Sequence, residues 1–262
     1  MSWVPAAHRA TKKRSPMQAL VLNSLTPLIA VLLALAWWLP QSAAVFSVLF
    51  PALERPVYQQ EPLLDLLFHH VALVGVSSAV AVVLGTVAGV FTMQPMGRAF
   101  AHVVQAIASL GQAVPPVAVL ALAVPVVGFG DGPALVALSL YGLLPVVQAT
   151  RSGLQAVPRD VRSAALAMGM SRWDIFKRVD VPLALPVWLS GVRLSTIINI
   201  GTATVASTVG AKSLGTPIVV GLSGFNTAYV IQGAVLVGLL AVTVDRAFDV
   251  LGAHLRPRVS GQ

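Results

Sequence analysis

The placing of charge constrains this chain more than any motif. Its 17 Lys and Arg and nine Asp and Glu residues leave six uncharged windows of at least 18 residues: 15–53, 66–97, 99–130, 132–150, 194–211 and 213–244. A helix crossing a hydrocarbon core of about 30 Å needs about 20 mostly apolar residues. Each window holds one such span once a flanking residue such as Arg193 snorkels to the interface. The spans are expected at roughly 19–39, 71–93, 102–127, 133–150, 188–209 and 229–248. Helices are expected because a bilayer cannot satisfy free backbone amides, and the segments are too long and uniformly apolar for barrel strands. Composition agrees: 56% of the 262 residues are hydrophobic and 10% charged, against about 45–50% and about 25% in soluble domains. A soluble enzyme, a disordered chain and a nucleic-acid-binding module are excluded. With no Cys, a disulfide framework and a thiolate metal site are excluded too.

The basic residues give the orientation. With the N-terminus in the cytoplasm, Arg9, Lys12, Lys13, Arg14, Arg98, Arg151, Arg159, Arg162, Arg172, Lys177, Arg178, Arg193, Arg246, Arg256 and Arg258 fall on one side, leaving only Arg55 and Lys212 on the other. This is a positive-inside bias with both termini cytoplasmic. It accounts for the formal charge of +8 through anionic lipid rather than nucleic acid. The first span resembles a signal peptide, with Ser42-Ala43-Ala44 after an apolar run. That run, Ala19 to Leu39, is longer than the usual h-region of roughly 7–15 residues. Trp37 and Trp38 also stand where an outer aromatic belt would lie. A retained span is expected; cleavage would leave five spans in the same orientation.

Residues 151–187 form the only sizeable hydrophilic segment between spans. A first short helix is expected from Pro158, suited to a first turn, with Asp160 complementing the helix dipole. Val161, Ala164, Ala165 and Met168 repeat at helical spacing. Gly169 is placed to end the helix in a left-handed conformation. Ser171 then caps a second helix with Asp174 in the capping-box position. Trp173, Phe176 and Lys177 follow, and Pro182 and Pro186 are expected to stop that helix before the next span. By periodicity alone the pair is either a docking surface for a soluble partner or an interfacial helix on the headgroups.

Ser163-Ala164-Ala165-Leu166-Ala167-Met168-Gly169, followed after nine residues by Val179-Asp180-Val181-Pro182, resembles the EAA loop of the permease subunits of bacterial ABC importers. Ser163 stands where that family has Glu. Gly169-Met170-Ser171-Arg172-Trp173, Val181-Pro182-Leu183-Ala184-Leu185-Pro186, Ile200-Gly201-Thr202-Ala203-Thr204, Gly210 with Leu214-Gly215, and Pro115-Pro116 with Gly128-Phe129-Gly130 are similar to the glycine betaine/choline branch. The resemblance implies an all-α type I importer permease: a five-helix core plus one N-terminal helix. It divides the chain into an N-terminal tail, helix and loop (1–62), a permease domain (63–250) with its coupling loop (151–187), and a tail (251–262). It implies cytoplasmic ATPase subunits that bind ATP and Mg, a second permease subunit of the same or a sibling chain, and an external substrate-binding protein. Ser163, Ala164, Ala165, Gly169, Met170, Ser171, Trp173 and Pro182 would form the ATPase-coupling loop.

This chain carries no phosphate-cradling Gly-x4-Gly-Lys-Ser/Thr; Gly210-Ala211-Lys212-Ser213 lacks the spacing. No cofactor is expected in it. Energy from an ion gradient is the rival source, but ion-coupled carriers usually bury a carboxylate or His in the membrane. Only Asp245 and His102, both near predicted span ends, come close. An intramembrane enzyme would rest on Asp65 with His69-His70, which reads better as a solvated helix end than as a metal or acid–base site. Pro115, Pro116, Pro125 and Pro145 interrupt apolar spans and would kink them, either for packing or, at Pro115-Pro116, to line a pore. Ser195, Thr196, Asn199, Thr202, Thr204, Ser207 and Thr208 make the fifth span polar. Asn199, Thr202, Thr204 and Ser207 are candidates for a translocation path, with inter-helix hydrogen bonding as the other reading. No aromatic cage for a quaternary ammonium can be drawn from Tyr58, Tyr141 and Tyr229 with the five Trp, so high-affinity recognition is assigned to the external binding protein. The cargo expected is a compatible solute of the betaine or choline type, with an amino acid or phosphonate as the alternative.

Overall fold

A computed structural model describes residues 16–255, with side chains from residue 25 onward. The basic tails before residue 16 and after residue 255 lie outside the described residues. Every regular element described is a helix: α1 (Pro16–Trp38), α2 (Ala43–Leu49), α3 (Leu63–Met93), α4 (Ala101–Ala113), α5 (Pro116–Val127), α6 (Asp131–Gln155), α7 (Arg159–Ala167), α8 (Arg172–Ile175), α9 (Val181–Thr202), α10 (Thr216–Ser223) and α11 (Thr227–Leu255), with short 3-10 or π turns between some of them. Four runs are long and apolar enough to cross a membrane: α3, α6, the continuous Arg172–Thr202 and α11. Two bent pairs bring the number to six if each counts as one span.

One of these bends corrects an expected span, and the other lies just beyond the first span. In the third, α4 and α5 meet at 101°, a break rather than a kink. A residue before proline is pushed out of the helical region. Two successive prolines therefore hold Val114 (φ −89°, ψ 132°) and Pro115 (φ −56°, ψ 139°) extended, and the helix restarts at Pro116. Beyond α1 the chain turns by 76° into α2, with Pro40 at the turn and Ser42 Oγ donating to Leu39 O at 2.6 Å. The fifth span is also corrected: α9 ends at Thr202, and Val205–Val209 is a 3-10 turn.

The centre of the molecule is α6, packed against α3, α4, α5 and α9. Lipid tails are as apolar as leucine, so helices in a bilayer associate through close packing and hydrogen bonds rather than through expulsion of water. Small residues supply that closeness. A Cβ on Gly89 of α3 would lie 2.6 Å from Thr150 Cβ of α6, and one on Gly191 of α9 would collide with Ala149 Cβ. Polar groups finish the seam: Ser195 Oγ donates to Gly142 O at 2.8 Å, and Asn199 Nδ2 to Ser78 Oγ at 3.1 Å. Pro145, predicted to kink, sits buried inside α6, which continues past it. On the far side, α11 packs on α9, α10 and α1. The side chain of Gln232 on α11 pins the loop before α3, accepting from Tyr58 N at 3.2 Å and donating to Pro56 O at 2.8 Å. In that loop, burial pushes the Tyr58 hydroxyl up to about 12, so it stays protonated.

Substituting Gly89→Val should therefore lower thermal stability in detergent by roughly 1–3 kcal/mol, the usual cost of overpacking. Gly75→Ala, on the same helix with nothing within 4 Å of its would-be Cβ, should be neutral or stabilising. Equal melting of the two variants would show that the α3–α6 approach is not tight.

Candidate functional site: the loop at the basic end

The segment between α6 and α9 folds as the sequence suggests up to its second helix. Pro158 is the N-cap of α7, in extended conformation, and Asp160 lies in the first turn. At the other end, Gly169 has φ +79°, the left-handed region that glycine enters without Cβ strain. Met170 N donates to Ala165 O at 3.1 Å and Gly169 N to Leu166 O at 2.9 Å, the paired bonds of a Schellman stop. Ser171 then caps α8, its Oγ accepting from Asp174 N at 3.1 Å.

The two prolines do not stop the second helix. Residues Arg172–Thr202 form one continuous run, with a π turn at Phe176–Asp180. A proline ring normally clashes with the carbonyl four residues earlier. The π turn, closed by Val181 N donating to Phe176 O, shifts the hydrogen bonding by one residue just before Pro182 and relieves that clash. α8 is thus the first turn of a membrane span.

Arg162 braces this joint. Its Nε donates to Asp180 Oδ1 at 2.7 Å and its Nη2 to Leu154 O at 2.7 Å. α7, the π turn and the end of α6 are fastened by one guanidinium. A second arginine ties the spans behind it: Arg193 binds both carboxylate oxygens of Asp245 and also Asp249 Oδ1 at 2.6 Å. Asp245, the acid nearest the membrane interior in the sequence, is thereby neutralised by an ion pair between α9 and α11. Neither brace was anticipated. The signal for the second was the i, i+4 spacing of Asp245 and Asp249 at a basic helix end; the first joins residues 18 positions apart and left none.

Of the loop residues singled out, Ser163, Ala164, Gly169, Ser171 and Trp173 are exposed, Met170 and Pro182 half-buried, and Ala165 buried. Trp173 stacks on Phe176 with centroids 5.6 Å apart, and Lys177 Nζ lies 4.5 Å from the Trp173 centroid. With Val161, Leu166 and Met168 also exposed, the loop presents an apolar, cation-edged surface.

The path candidates lie mostly toward the other end. Asn199 is fully buried between α3, α6 and α9, and its Oδ1 has no partner. In this conformation it belongs to the seam, as the hydrogen-bonding reading had it. Thr202 and Thr204 donate to backbone carbonyls of their own segment, and Ser207 Oγ lies 2.8 Å from Ser213 Oγ. All three are half-buried, Pro116 half-buried and Pro115 exposed. α5 packs on the 3-10 turn carrying Ser207, where Gly130 N donates to Val209 O at 2.8 Å.

His70 corrects another expectation. It is completely buried rather than solvated, because α3 starts at Leu63 and places it two turns inside. Leu214 N donates to Nδ1 at 3.3 Å, which leaves Nε2 to donate to Ile200 O at 3.1 Å. The ring satisfies a carbonyl in the last turn of α9, where helical partners run out. His69 and Asp65 stay exposed, so the trio does not converge.

Residues 81–261 match the family described as binding-protein-dependent transport system inner membrane component. The chain belongs to this family. α1, α2 and the first half of α3 precede the match. This family member is 40% identical over 205 residues to the osmoprotectant import permease protein OsmY of Salmonella typhimurium, covering 78% of this chain and 87% of that one. It is 36% identical to the glycine betaine/carnitine/choline transport system permease protein OpuCB of Bacillus subtilis, over 69% of this chain and 84% of that one. Its fold is similar to an inward-facing MetNI methionine ABC transporter chain (TM-score 0.65, 23% identity), covering 75% of this chain and 99% of that one. The protein is accordingly a multi-pass inner-membrane component of a transport system.

Gly169→Val should open the turn between α7 and α8, since a left-handed conformation costs an L-residue about 1–2 kcal/mol. Limited trypsin digestion at Arg172 should become several-fold faster while cleavage elsewhere is unchanged. An unaltered digestion pattern would mean that the turn is not held by this glycine.

Proposed function

We propose that this permease forms the membrane path of an ATP-binding cassette importer for a quaternary-ammonium compatible solute of the glycine betaine or choline type. The observation that carries the reading is the loop at the basic end: an exposed aromatic surface built on the first turn of a membrane-spanning helix. A partner that moves Trp173 moves α9. By the positive-inside rule this end and both termini face the cytoplasm, where ATPase subunits supply the nucleotide chemistry. Ser163, Ala164, Gly169, Met170, Ser171 and Trp173 meet the ATPase; Ala165 and Pro182 hold the loop's shape. A second permease, the same chain or a sibling, completes the path, and an external binding protein delivers the solute. The cargo assignment draws on the osmoprotectant, betaine, carnitine and choline permeases to which the chain is similar. Selectivity is assigned to the binding protein. Pro115, Pro116, Thr202, Thr204 and Ser207, at or near the α5 side, line the path in this reading.

Two measurements test this. The solubilised permease should co-purify with a soluble ATPase, and Gly169→Val should abolish that association or uncouple hydrolysis from uptake; normal transport by the variant would overturn the role of the loop. In competition uptake, betaine, choline or carnitine in excess should reduce accumulation of the labelled solute at least tenfold, with methionine and phosphonates inert. Competition by the latter alone would reassign the cargo.

A further inference from the structure

Beside the loop, α3, α6 and α9 diverge to leave a crevice of about 240 Å³. We infer that this crevice, walled by Val90, Leu154, Phe176, Leu185 and Trp188, holds an acyl chain of an anionic phospholipid whose phosphate meets the basic residues of the adjoining loop.

The lining chemistry selects an apolar occupant. Its indole N–H and the Thr150 hydroxyl proton are already engaged: Trp188 Nε1 donates to Thr86 Oγ1 at 2.9 Å, and Thr150 Oγ1 donates to Val146 O at 2.7 Å. The rest of the lining is apolar, so a polar solute would lose far more hydrogen bonds to water than it regained there. The volume is below the roughly 300–1,000 Å³ that encloses a whole small ligand, and suits a segment of one chain. The position selects lipid. Leu154 lies at the basic end of α6 and Phe176 in the π turn that leads into α9, and the neighbouring face of α3 exposes Val80, Val83, Leu84, Val87 and Phe91, an unbroken apolar stripe.

The charge selects an anionic headgroup. Between residues 151 and 180 stand Arg151, Arg159, Arg162, Arg172, Lys177 and Arg178 against Asp160, Asp174 and Asp180. Asp180 is engaged by Arg162, and Asp174 lies 3.8 Å from Arg178. Lys177 and Arg178 directly follow the wall residue Phe176, and both are exposed. Basic pockets between spans on the cytoplasmic side are general sites for anionic lipid headgroups.

The test uses the full chain within its transporter, extracted in mild detergent, with bound phosphatidylglycerol and phosphatidylethanolamine counted per chain by native mass spectrometry. Uptake plays no part in the readout, so it stands or falls apart from the cargo assignment. The wild type should keep one phosphatidylglycerol through delipidation. Val90→Phe and Leu185→Trp, which fill the crevice from opposite walls, should each lower that occupancy at least fivefold. Val83→Phe, on the open stripe, should leave it unchanged. Lys177→Gln with Arg178→Gln should erase the preference for phosphatidylglycerol. Equal retention by the wild type and both filled variants, or equal retention of the two lipids by the wild type, would overturn the inference. The native chain has no Cys, so Val90→Cys gives a clean probe: efficient cross-linking between two copies in membranes would show a second protomer sealing the crevice, and would also overturn it.

Discussion

In a bilayer nothing drives apolar helices together merely by hiding them, so the arrangement of this molecule depends on how closely α3, α6 and α9 approach. Gly85 and Gly89 on α3 and Gly191 on α9 let backbones meet where any side chain would collide, and serine and asparagine groups are then paired across the seam because the membrane offers them no water. The two effects are one constraint. Removing a small residue separates the helices, which in turn strands Ser195, Ser78 and Asn199 without partners. That explains why Ser195 and Asn199 in the most polar stretch of the fifth span are turned inward, while Thr196 and Thr202 are left half-exposed.

The charges divide along the same line. Among the described residues, the ion pairs of the loop and of the α9–α11 brace gather at the basic end; at the other, Lys212 pairs with Glu61 at 3.0 Å, which holds the Lys212 ammonium above its ordinary value. The long-range seam is neutral; the arginines act where headgroups and water lower the cost of charge. Arg162 and Arg193 each use several donors of one planar group, which fixes orientation as well as distance. Each therefore fastens elements that backbone hydrogen bonds cannot join.

The spans were legible because charge exclusion is a property of composition, independent of partners. The loop was legible because Gly169, Ser171 and Asp174 act locally, within a few bonds of themselves. What escaped depends on distant residues or on hydrogen-bond register. Pro182 reads as a helix stop until the π turn before it is known. Pro115-Pro116 reads as a kink, yet two consecutive extended residues make a break. His70 reads as a helix-end residue because Asp65 marks the edge of the uncharged window, although a helix can begin before the last charge; its partners, Ile200 and Leu214, lie 130 and 144 positions away. The N-terminal turn at Pro40 into α2 falls in an uncharged window, where charge counting has no resolution.

These features combine into a mechanical argument. The run Arg172–Thr202 has 31 residues and so spans about 46 Å at about 1.5 Å per residue. One end carries the exposed Trp173; in the last turn of the other, the carbonyl of Ile200 accepts from His70, with Ser207 and its hydroxyl partners just beyond. Its weakest point as a rod is the π turn, where hydrogen-bond register changes, and there Arg162 adds bonds to α6 and α7. Farther along, Arg193 fixes it to α11. On the proposed function, a displacement at the loop would be delivered to the α5 and Ser207 region by tilting of a braced helix about α6, rather than dissipated by bending at the prolines. A ligand or nucleotide cycle can exploit such a rod only by favouring one tilt over another. The tight α6–α9 contact at Gly191 supplies that discreteness, since closely packed surfaces shift between fits rather than deform continuously.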